Sequence, residues 1–287
     1  MRYRCIDRRR NRHPVRMMCR LLKVSRSGYY GWRSRPQSER ARTDRALTRV
    51  IRRIHAASRG TYGSPPVTAE LRDEGYWHGH NKVARLMRMA GLRGCPQRRY
   101  KVTTQRDPSH LVAENLLKQD FSAKGANQRW ASDITYLRTR RGWLHLAVVM
   151  DLYSRRIVGW SMSRRISRHL VIDALTMALD QRCPQGALIH HSDQGSQYTS
   201  DDFRELLEKQ GIECSMSSRG NCYDNAVVES FFGLLKRERA NQVYLTPDDA
   251  RADMFDYIEC FYNRKRRHGY LGYTSPAAFE ERAVCPN

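Results

Sequence analysis

A short apolar run that ends in a carboxylate constrains this chain more than any other feature. The run 187–189 leads through two histidines and a serine to Asp193, and the segment HSDQGSQYTS continues past it. A short apolar run bounded by turn residues is typical of a buried strand. We therefore expect a strand that delivers the Asp193 carboxylate at its tip, followed by a glycine-containing turn and then a helix.

Two further acids fit around Asp193. The stretch WASDITYL places Asp133 inside a second strand-like run, and DNAVVESFFGLLKRER places Glu229 on a helix. The two-residue period of a strand puts Ala131, Asp133 and Thr135 on one face. A carboxylate inside an otherwise apolar sheet is unfavourable unless it is paired or bound to metal. The three acids therefore predict a cation site, because converging carboxylates cannot all stay ionised without one.

The oxygen ligands of such a site favour Mg²⁺ or Mn²⁺. Two ions, roughly 4 Å apart, would activate an attacking oxygen and stabilise a leaving one in an in-line phosphoryl transfer. The charge of the chain suggests the substrate, since 52 Lys plus Arg against 29 Asp plus Glu give a net charge of +23. A protein this basic attracts polyanions, usually nucleic acid; an anionic membrane surface or a ribosome stays an alternative.

The compartment is predicted from what the sequence lacks. No apolar stretch approaches the ~18 residues of a membrane span, and the basic start has no continuous apolar core of a signal peptide. We expect a cytoplasmic, nucleoid-associated protein with no membrane partner. None of the eight cysteines has zinc-knuckle or zinc-finger spacing, so we expect free thiols.

The order of elements predicts the fold of the second half. Three strand-like runs, ASDITYLR, WLHLAVVMDLY and RIVGWSMS, are separated by short basic turns, which indicates an antiparallel meander. Helix, strand, helix, strand and helix follow. This is the order of an RNase H-like α/β fold, a mixed sheet flanked by helices. We place this core, with a helical C-terminal tail, at residues 126–287, after a linker at 99–125.

The first half is predicted to be helical. Residues 1–42 form a basic helical segment with a turn at Ser27-Gly28, and residues 43–98 form a helix-turn-helix-like domain. We predict that Asn81 is the N-cap of its last helix. The positively charged stripe of that helix is a candidate DNA contact, although spacing alone also allows a helical adaptor that touches no DNA. The stripe consists of Lys82, Arg85 and Arg88.

The Glu229 helix carries one more candidate. Lys236 follows Glu229 by seven residues, about 20° around the helix, so it could hold a DNA phosphate beside the acids; a plain surface lysine is the alternative. His190 and His191 are predicted to be hydrogen-bond partners rather than general bases. Asp151 is assigned to turn chemistry, Asp120 to solvent, and Asp224, with Asn225, to capping the Glu229 helix.

Three phrases of this sequence resemble a known family. HSDQGSQYTS, RGNCYDNAVVESFFGLLKRE and YNRKRRHGYLGYTSPAAF are similar to the transposases of the insertion-sequence-3 group, in particular their second-frame product. That group shares the DDE catalytic core of retroviral integrases. The resemblance covers nearly the whole chain, including the helix-turn-helix-like segment.

The resemblance implies DNA transposition and integration. Metal-dependent cleavage at element ends would be followed by strand transfer from a free 3′-hydroxyl, with Asp133, Asp193 and Glu229 as metal ligands and Lys236 as the basic residue after them. It also implies a homo-oligomer on DNA. The family's enzyme is usually a frameshift fusion, so the upstream-frame product is an expected fusion or partner. Pro66 stands where relatives often carry a basic residue.

The tail motif is implied to serve packing and DNA contact, with Arg267 and His268 as its candidate DNA ligands. Its matching residues are Tyr262, Asn263, Arg267, His268, Leu271, Gly272 and Pro276. Two alternatives stay open from the residues themselves. One is an RNase H-type nuclease acting on hybrids, and the other is a DNA-binding repressor or remnant without catalysis.

Overall fold

The computed structural model describes residues 1–35, 38–95, 113–117, 120–217 and 225–284. It contains two compact units, Met1–Arg53 and Ile54–Asn287, and the division falls inside a helix. The domain boundaries predicted at 42/43, 98/99 and 125/126 stay predictions, and most of the predicted linker lies outside the described residues.

The first unit is helical, as expected. A small core of Ile6, Met18, Cys19 and Tyr29 packs its first three helices together. The helices are α1 Arg2–Arg9, α2 Val15–Leu21, α3 Arg26–Ser34 and α4 Glu39–Ala57, of which α4 continues into the second unit.

The turn predicted at Ser27-Gly28 is wrong, because both residues lie inside α3. Ser25 caps that helix, and its Oγ accepts a hydrogen bond from the Gly28 amide at 3.0 Å. The chain turns earlier, at Lys23, whose φ is +50°. Gly28 lies inside α3 against the side chain of Tyr3, and a Cβ at residue 28 would displace the Tyr3 hydroxyl.

The helical pair predicted at the start of the second unit is confirmed. Its helices are α5 Ser64–Asp73 and α6 His80–Met89. Their facing sides bury Val67, Leu71, Val83 and Leu86. The N-cap predicted at Asn81 is wrong: α6 begins at His80 with Gly79 as its N-cap.

A five-stranded mixed sheet forms the core, and the predicted meander and element order are confirmed. The strands lie in the order β3-β2-β1-β4-β5, with β1–β2 and β2–β3 antiparallel and β1–β4 and β4–β5 parallel. They are β1 Arg129–Thr139, β2 Gly142–Asp151, β3 Ile157–Ser163, β4 Leu188–Ser192 and β5 Ile212–Met216.

Helices cover both faces of the sheet. On one face, α7 Arg168–Arg182 and α8 Asp201–Lys209 pack over Trp130, Ala147 and Val149. On the other face, α9 Ala226–Leu235 and the segments after it pack over Ala131, Leu146 and Val148. Alternate residues of β1 and β2 thus point to opposite cores, which is the two-residue period expected of strands buried on both sides.

The C-terminal tail is helical, as predicted. A π-helical turn, Lys236–Ala240, continues α9; α10 Pro247–Phe255 is followed by a second π-helical turn, Asp256–Tyr262, and then by a 3₁₀ turn, Gly269–Leu271, and α11 Pro276–Val284. A capping box at Thr246 and Asp249 starts α10. Within the described residues, no helix combines the length and apolar character needed to cross a membrane.

Ion pairs bind the tail to the rest of the second unit. The Arg266 guanidinium lies 2.6 Å from the buried Glu238 carboxylate, which also accepts a hydrogen bond from the Tyr257 hydroxyl at 2.8 Å. Arg267 pairs with Glu70 and, at 2.7 Å, with Asp73, both on α5. These ion pairs attach α5 to the tail, and through the tail to the part of the unit that contains the sheet.

Candidate active site

Two of the three predicted acids lie level with each other where β1 and β4 separate. The parallel pairing of these strands ends at Ala131 and His191. Asp133 and Asp193 each lie two residues beyond that last pair. In a parallel pair, residues equally far along both strands share a level and a face. The register therefore brings the Asp133 and Asp193 carboxylates to one edge of the sheet.

Each carboxylate accepts a hydrogen bond from a backbone amide close to it in sequence, within β1 for Asp133 and in the turn after β4 for Asp193. An oxygen of Asp133 accepts the Ile134 amide at 2.7 Å, and an oxygen of Asp193 accepts the Gly195 amide at 3.0 Å. Residue 195 must stay small, since a Cβ there would lie 3.0 Å from the same Asp193 oxygen. The predicted turn after Asp193 is thus built around the acid.

The third acid approaches on α9. The predicted anchors of that helix, Val228, Phe231, Phe232 and Leu235, are all buried. They pack in the same core as Ala131, which shares a face of β1 with Asp133. Glu229 therefore lies over the face from which the Asp133 carboxylate projects. The cap predicted at Asp224 lies outside the described residues. Asn225 is the N-cap residue of α9, as predicted, although its side chain makes no capping hydrogen bond and donates instead to the Ser132 carbonyl at 3.2 Å.

The pKa shifts of the three acids show that they interact electrostatically. Burial, and then the charges of Asp193 and Glu229, raise the pKa of Asp133 well above its usual range. Burial raises the pKa of Asp193. Burial and the Asp193 charge raise the pKa of Glu229. Each shift marks a carboxylate that is short of positive charge.

Lys236 is a cation that interacts electrostatically with Asp133. It ends α9 and begins the π-helical turn. Burial lowers the pKa of its ammonium group, and the Asp133 charge acts against that shift. Its Nζ lies 4.5 Å from the centre of the Tyr136 ring. The predicted placement of Lys236 beside the acids agrees with this electrostatic coupling.

The donor set fits hard divalent cations. It consists of carboxylate oxygens whose ionised forms are unfavourable where they lie, and a Mg²⁺ or Mn²⁺ ion would relieve that repulsion. Within the described part of the chain, no three His, Cys, Asp or Glu side chains are already gathered as a closed metal site.

The two histidines before Asp193 are hydrogen-bond partners, as predicted. His190 is fully buried, its Nε2 lies 2.7 Å from the Ser132 hydroxyl, and burial lowers its pKa to about 3. His191 Nδ1 lies 2.9 Å from the Ser215 hydroxyl. Both rings therefore support the ends of neighbouring strands through hydrogen bonds.

Sequence reasoning missed Tyr198, which lies behind the site. Its side chain is buried, and its hydroxyl has no hydrogen-bond partner among the described residues. Burial and the charges of Asp133 and Asp193 raise its pKa well above the usual range. Its position in HSDQGSQYTS, five residues after Asp193, was the available signal.

The remaining candidate residues lie elsewhere. Lys82, Arg85 and Arg88 are on α6, with Arg88 exposed. Arg267 is held by the two acids of α5. His268 is nearly buried, contacts the Tyr262 ring edge-to-face at 4.8 Å, and has its pKa lowered to about 3 by burial. The DNA contacts predicted for all five stay predictions.

Two further acids and the cysteines agree with their predicted roles. Asp151 accepts the Asn127 and Tyr153 amides at 2.8 and 2.9 Å, which confirms turn chemistry. Asp120 is exposed, as expected, and pairs with Arg129 at 2.9 Å. All six cysteines among the described residues are free, as predicted.

Family models match three parts of the chain. An integrase core domain matches residues 123–222 and a second integrase core model matches 210–276, while an HTH-like domain matches 42–100. Transposase InsF for insertion sequence IS3A of Escherichia coli (strain K12) is 44% identical over 285 residues, covering 98% of this chain and 99% of that protein. This chain belongs to the insertion-sequence-3 group of transposases. The resemblance noted in its sequence is thereby confirmed.

Other relatives give the same picture of this transposase. The insertion element IS600 uncharacterized 31 kDa protein of Shigella sonnei is 43% identical over 266 residues, covering 92% of this chain and 98% of that protein. The transposase has an RNase H-like integrase core behind an HTH-like domain, and it acts in the transposition of insertion-sequence DNA.

Solved structures of low identity also align with the transposase. The simian T-cell lymphotropic virus intasome in complex with PP2A regulatory subunit B56 gamma is 16% identical with a TM-score of 0.49, covering 83% of this chain and 76% of that chain. The HTLV-2 integrase catalytic core domain in complex with magnesium is 18% identical with a TM-score of 0.43, covering 55% of this chain and 98% of that chain.

Proposed function

We propose that Asp133, Asp193 and Glu229 ligate two Mg²⁺ or Mn²⁺ ions, with which this transposase cleaves the ends of its element and joins them to target DNA. One observation carries the proposal: two acids lie level at the parting of β1 and β4, a third lies over the same face, and burial and mutual repulsion raise their pKa values. When bound, the ions would lower the pKa of an attacking oxygen and offset charge on the leaving one.

The chain's own residues supply position. The Ile134 amide donates to one oxygen of Asp133 and the Gly195 amide to one oxygen of Asp193, which restricts the rotation of each carboxylate. Lys236 would bind a phosphate oxygen next to the reacting one, since its ammonium group is already held near Asp133.

DNA is the proposed substrate and partner. The net charge of +23 gives a sequence-independent attraction, and the stripe Lys82, Arg85 and Arg88 on the HTH-like segment is the proposed duplex contact. Transposition brings two element ends together, so we propose a dimer or larger assembly on DNA. The upstream-frame product stays a prediction, as a fusion or a partner.

The test is Mg²⁺-dependent joining of a labelled element-end oligonucleotide to target DNA, measured on sequencing gels. Glu229→Gln should abolish joining and leave DNA binding intact. The matched control is Glu213→Gln, which changes an exposed acid on β5 and should join at the wild-type rate. Joining that persists in Glu229→Gln would overturn the ligand assignment.

The alternatives give different products in the same assay. A hybrid-cutting nuclease would release fragments from RNA–DNA duplexes and never join ends. A repressor would bind the end oligonucleotide without cutting it under Mg²⁺ or Mn²⁺, even with the upstream product supplied. Either result would replace the proposed reaction.

A further inference from the structure

Two large aromatic side chains are exposed on β1 and β2, on the face of the sheet opposite the one from which the Asp133 carboxylate projects. Tyr136 of β1 is 56% exposed and Trp143 of β2 is 52% exposed. Their rings meet edge-to-face, with centres 5.1 Å apart and planes at 84°. We call this pair the aromatic platform. Neither residue has a part in the proposed ligation of metal.

The platform is built by the register of the sheet rather than by a flexible loop. Trp143 pairs with Arg138, two residues after Tyr136 on the same face of β1, so the two rings are diagonal neighbours. This face is the one that α7 and α8 cover further along, over Trp130 and Val149. The platform lies beyond that cover, and Tyr136 supports the Trp143 indole from its side.

Positive charge surrounds the platform. Lys236 reaches the Tyr136 ring from the opposite face, crossing the edge of β1 that β4 leaves after Ala131. Arg138, Arg140 and Arg141 are exposed, and no described carboxylate pairs with them. An apolar protein partner is a poor match for aromatic rings set among cations. A nucleobase, which stacks on aromatic rings while its phosphates meet the cations, is a good one.

We propose that the aromatic platform stacks an unpaired base of the DNA near the reacting phosphate. This inference rests on the proposed function, because the distance from the platform to the reacting phosphate is measured from Asp133. Tyr136 and the Trp143 partner Arg138 lie three and five residues beyond Asp133 on β1. At about 3.3 Å per residue that is roughly 10–17 Å, or about three to five stacked nucleotides at 3.4 Å each.

Equilibrium binding tests the inference without catalysis. The probes are 30-base-pair duplexes, fully paired or carrying one unpaired 2-aminopurine at one to eight nucleotides from the end, titrated in EDTA. The wild type should bind probes unpaired at about positions three to five roughly tenfold more tightly than the paired duplex, with a change in 2-aminopurine fluorescence. Trp143→Ala should lose that preference and bind paired duplex as before.

Matched variants separate stacking from general effects. Trp143→Phe keeps a ring and should retain part of the preference. Phe255→Ala removes another exposed ring, 53% exposed on α10, and should retain all of it. Thermal unfolding of Trp143→Ala should match the wild type, because the side chain is half exposed. One probe set carries the element's own terminal repeat and another an unrelated sequence; preference in the first alone assigns the base to the element end, and preference in both includes target DNA.

Three outcomes would overturn the inference. Trp143→Ala could keep the preference, could weaken paired and unpaired probes equally, or could change only the sedimentation of the protein, which would make the surface a protein interface. The proposed function fails separately. Glu229→Gln should keep the base preference because no chemistry is involved, so joining and stacking can be lost independently.

Discussion

Removal of the Glu280 carboxylate should destabilise the protein where α11 packs against α7 and the β2–β3 turn. Glu280 of α11 is buried and accepts four hydrogen bonds: two from Arg182 at 2.8 and 2.9 Å, one from Arg156 at 2.8 Å and one from the Ser154 hydroxyl at 2.7 Å. These hydrogen bonds connect α11 to α7 and to the β2–β3 turn, and we call this set of contacts the Glu280 clasp. We take Glu280→Ala as the perturbation.

The expected loss of unfolding free energy follows from the interactions that each partner of Glu280 loses. Breaking a buried ion pair costs about 3–5 kcal/mol, because the remaining charge stays buried. Arg182 would keep Asn127 at 2.8 Å and Asp151 at 3.4 Å, which argues for the low end. Arg156 is about a third exposed, so its share is small. We expect a loss of about 3 kcal/mol, which lowers the melting temperature by about 6–12 °C in a unit of this size.

Calorimetry of the full chain at pH 7 measures this loss. Glu205→Gln, in an exposed 3.4 Å pair with Lys209, is the control and should change stability by less than about 0.5 kcal/mol. A double-mutant cycle with Arg182→Met should show a coupling of more than about 1 kcal/mol. A loss below 1 kcal/mol, or an additive cycle, would refute the clasp.

The same pair gives a pH dependence with a defined sign. Burial alone would raise the pKa of Glu280, but Arg182, Ser154 and Arg156 outweigh it and lower the pKa below its usual range. The carboxylate therefore contributes its stability above the unfolded pKa of about 4.3. That contribution is lost as the pH falls through the folded pKa, so the gap between wild type and Glu280→Ala should narrow in acid.

Three further predictions concern the site. Asp133→Asn should stabilise the metal-free protein by about 1 kcal/mol at pH 8 in EDTA, because burial and repulsion raise the pKa of this acid; the gain should shrink toward pH 5, where the wild type takes up a proton, and a destabilisation at pH 8 would contradict it. Tyr198→Phe should change the unfolding free energy by less than about 0.5 kcal/mol, since its buried hydroxyl has no partner among the described residues, whereas Tyr262→Phe, which loses a 3.1 Å bond to a backbone carbonyl, should cost about 1 kcal/mol in the same urea titration. Lys236→Gln should reduce the salt dependence of DNA binding by about one phosphate contact while Lys236→Arg retains it, measured by anisotropy from 50 to 200 mM salt; equal slopes would remove Lys236 from the DNA surface.

The acids and their scaffold could be predicted because their signals are local. Strand period and turn residues placed Asp133 and Asp193 at strand positions, and the apolar spacing of α9 fixed which side of the helix is buried. The parallel register that makes the two acids level could not be predicted. It depends on pairing between segments sixty residues apart, which no local pattern specifies.

Other features depend on contacts remote in sequence. Gly28 suggested a turn, but a tyrosine from α1 lies where its Cβ would be, and packing overrode the propensity. The resemblance of the tail motif predicts Arg267 as a DNA ligand, and its two carboxylate partners, 194 and 197 residues away, could not be predicted from the sequence.

The attachment of the tail to α5 limits how this family can be recombined. The three matched regions suggest cassettes, with an HTH-like part at 42–100 that could be exchanged for that of a relative. Arg267 grips Glu70 and Asp73, and the Tyr62 hydroxyl accepts the Arg267 amide at 2.8 Å. A chimera that imports a new HTH-like part but keeps the old tail would break these bonds. Residues 262–276 should therefore travel with the recognition cassette whenever it is transplanted.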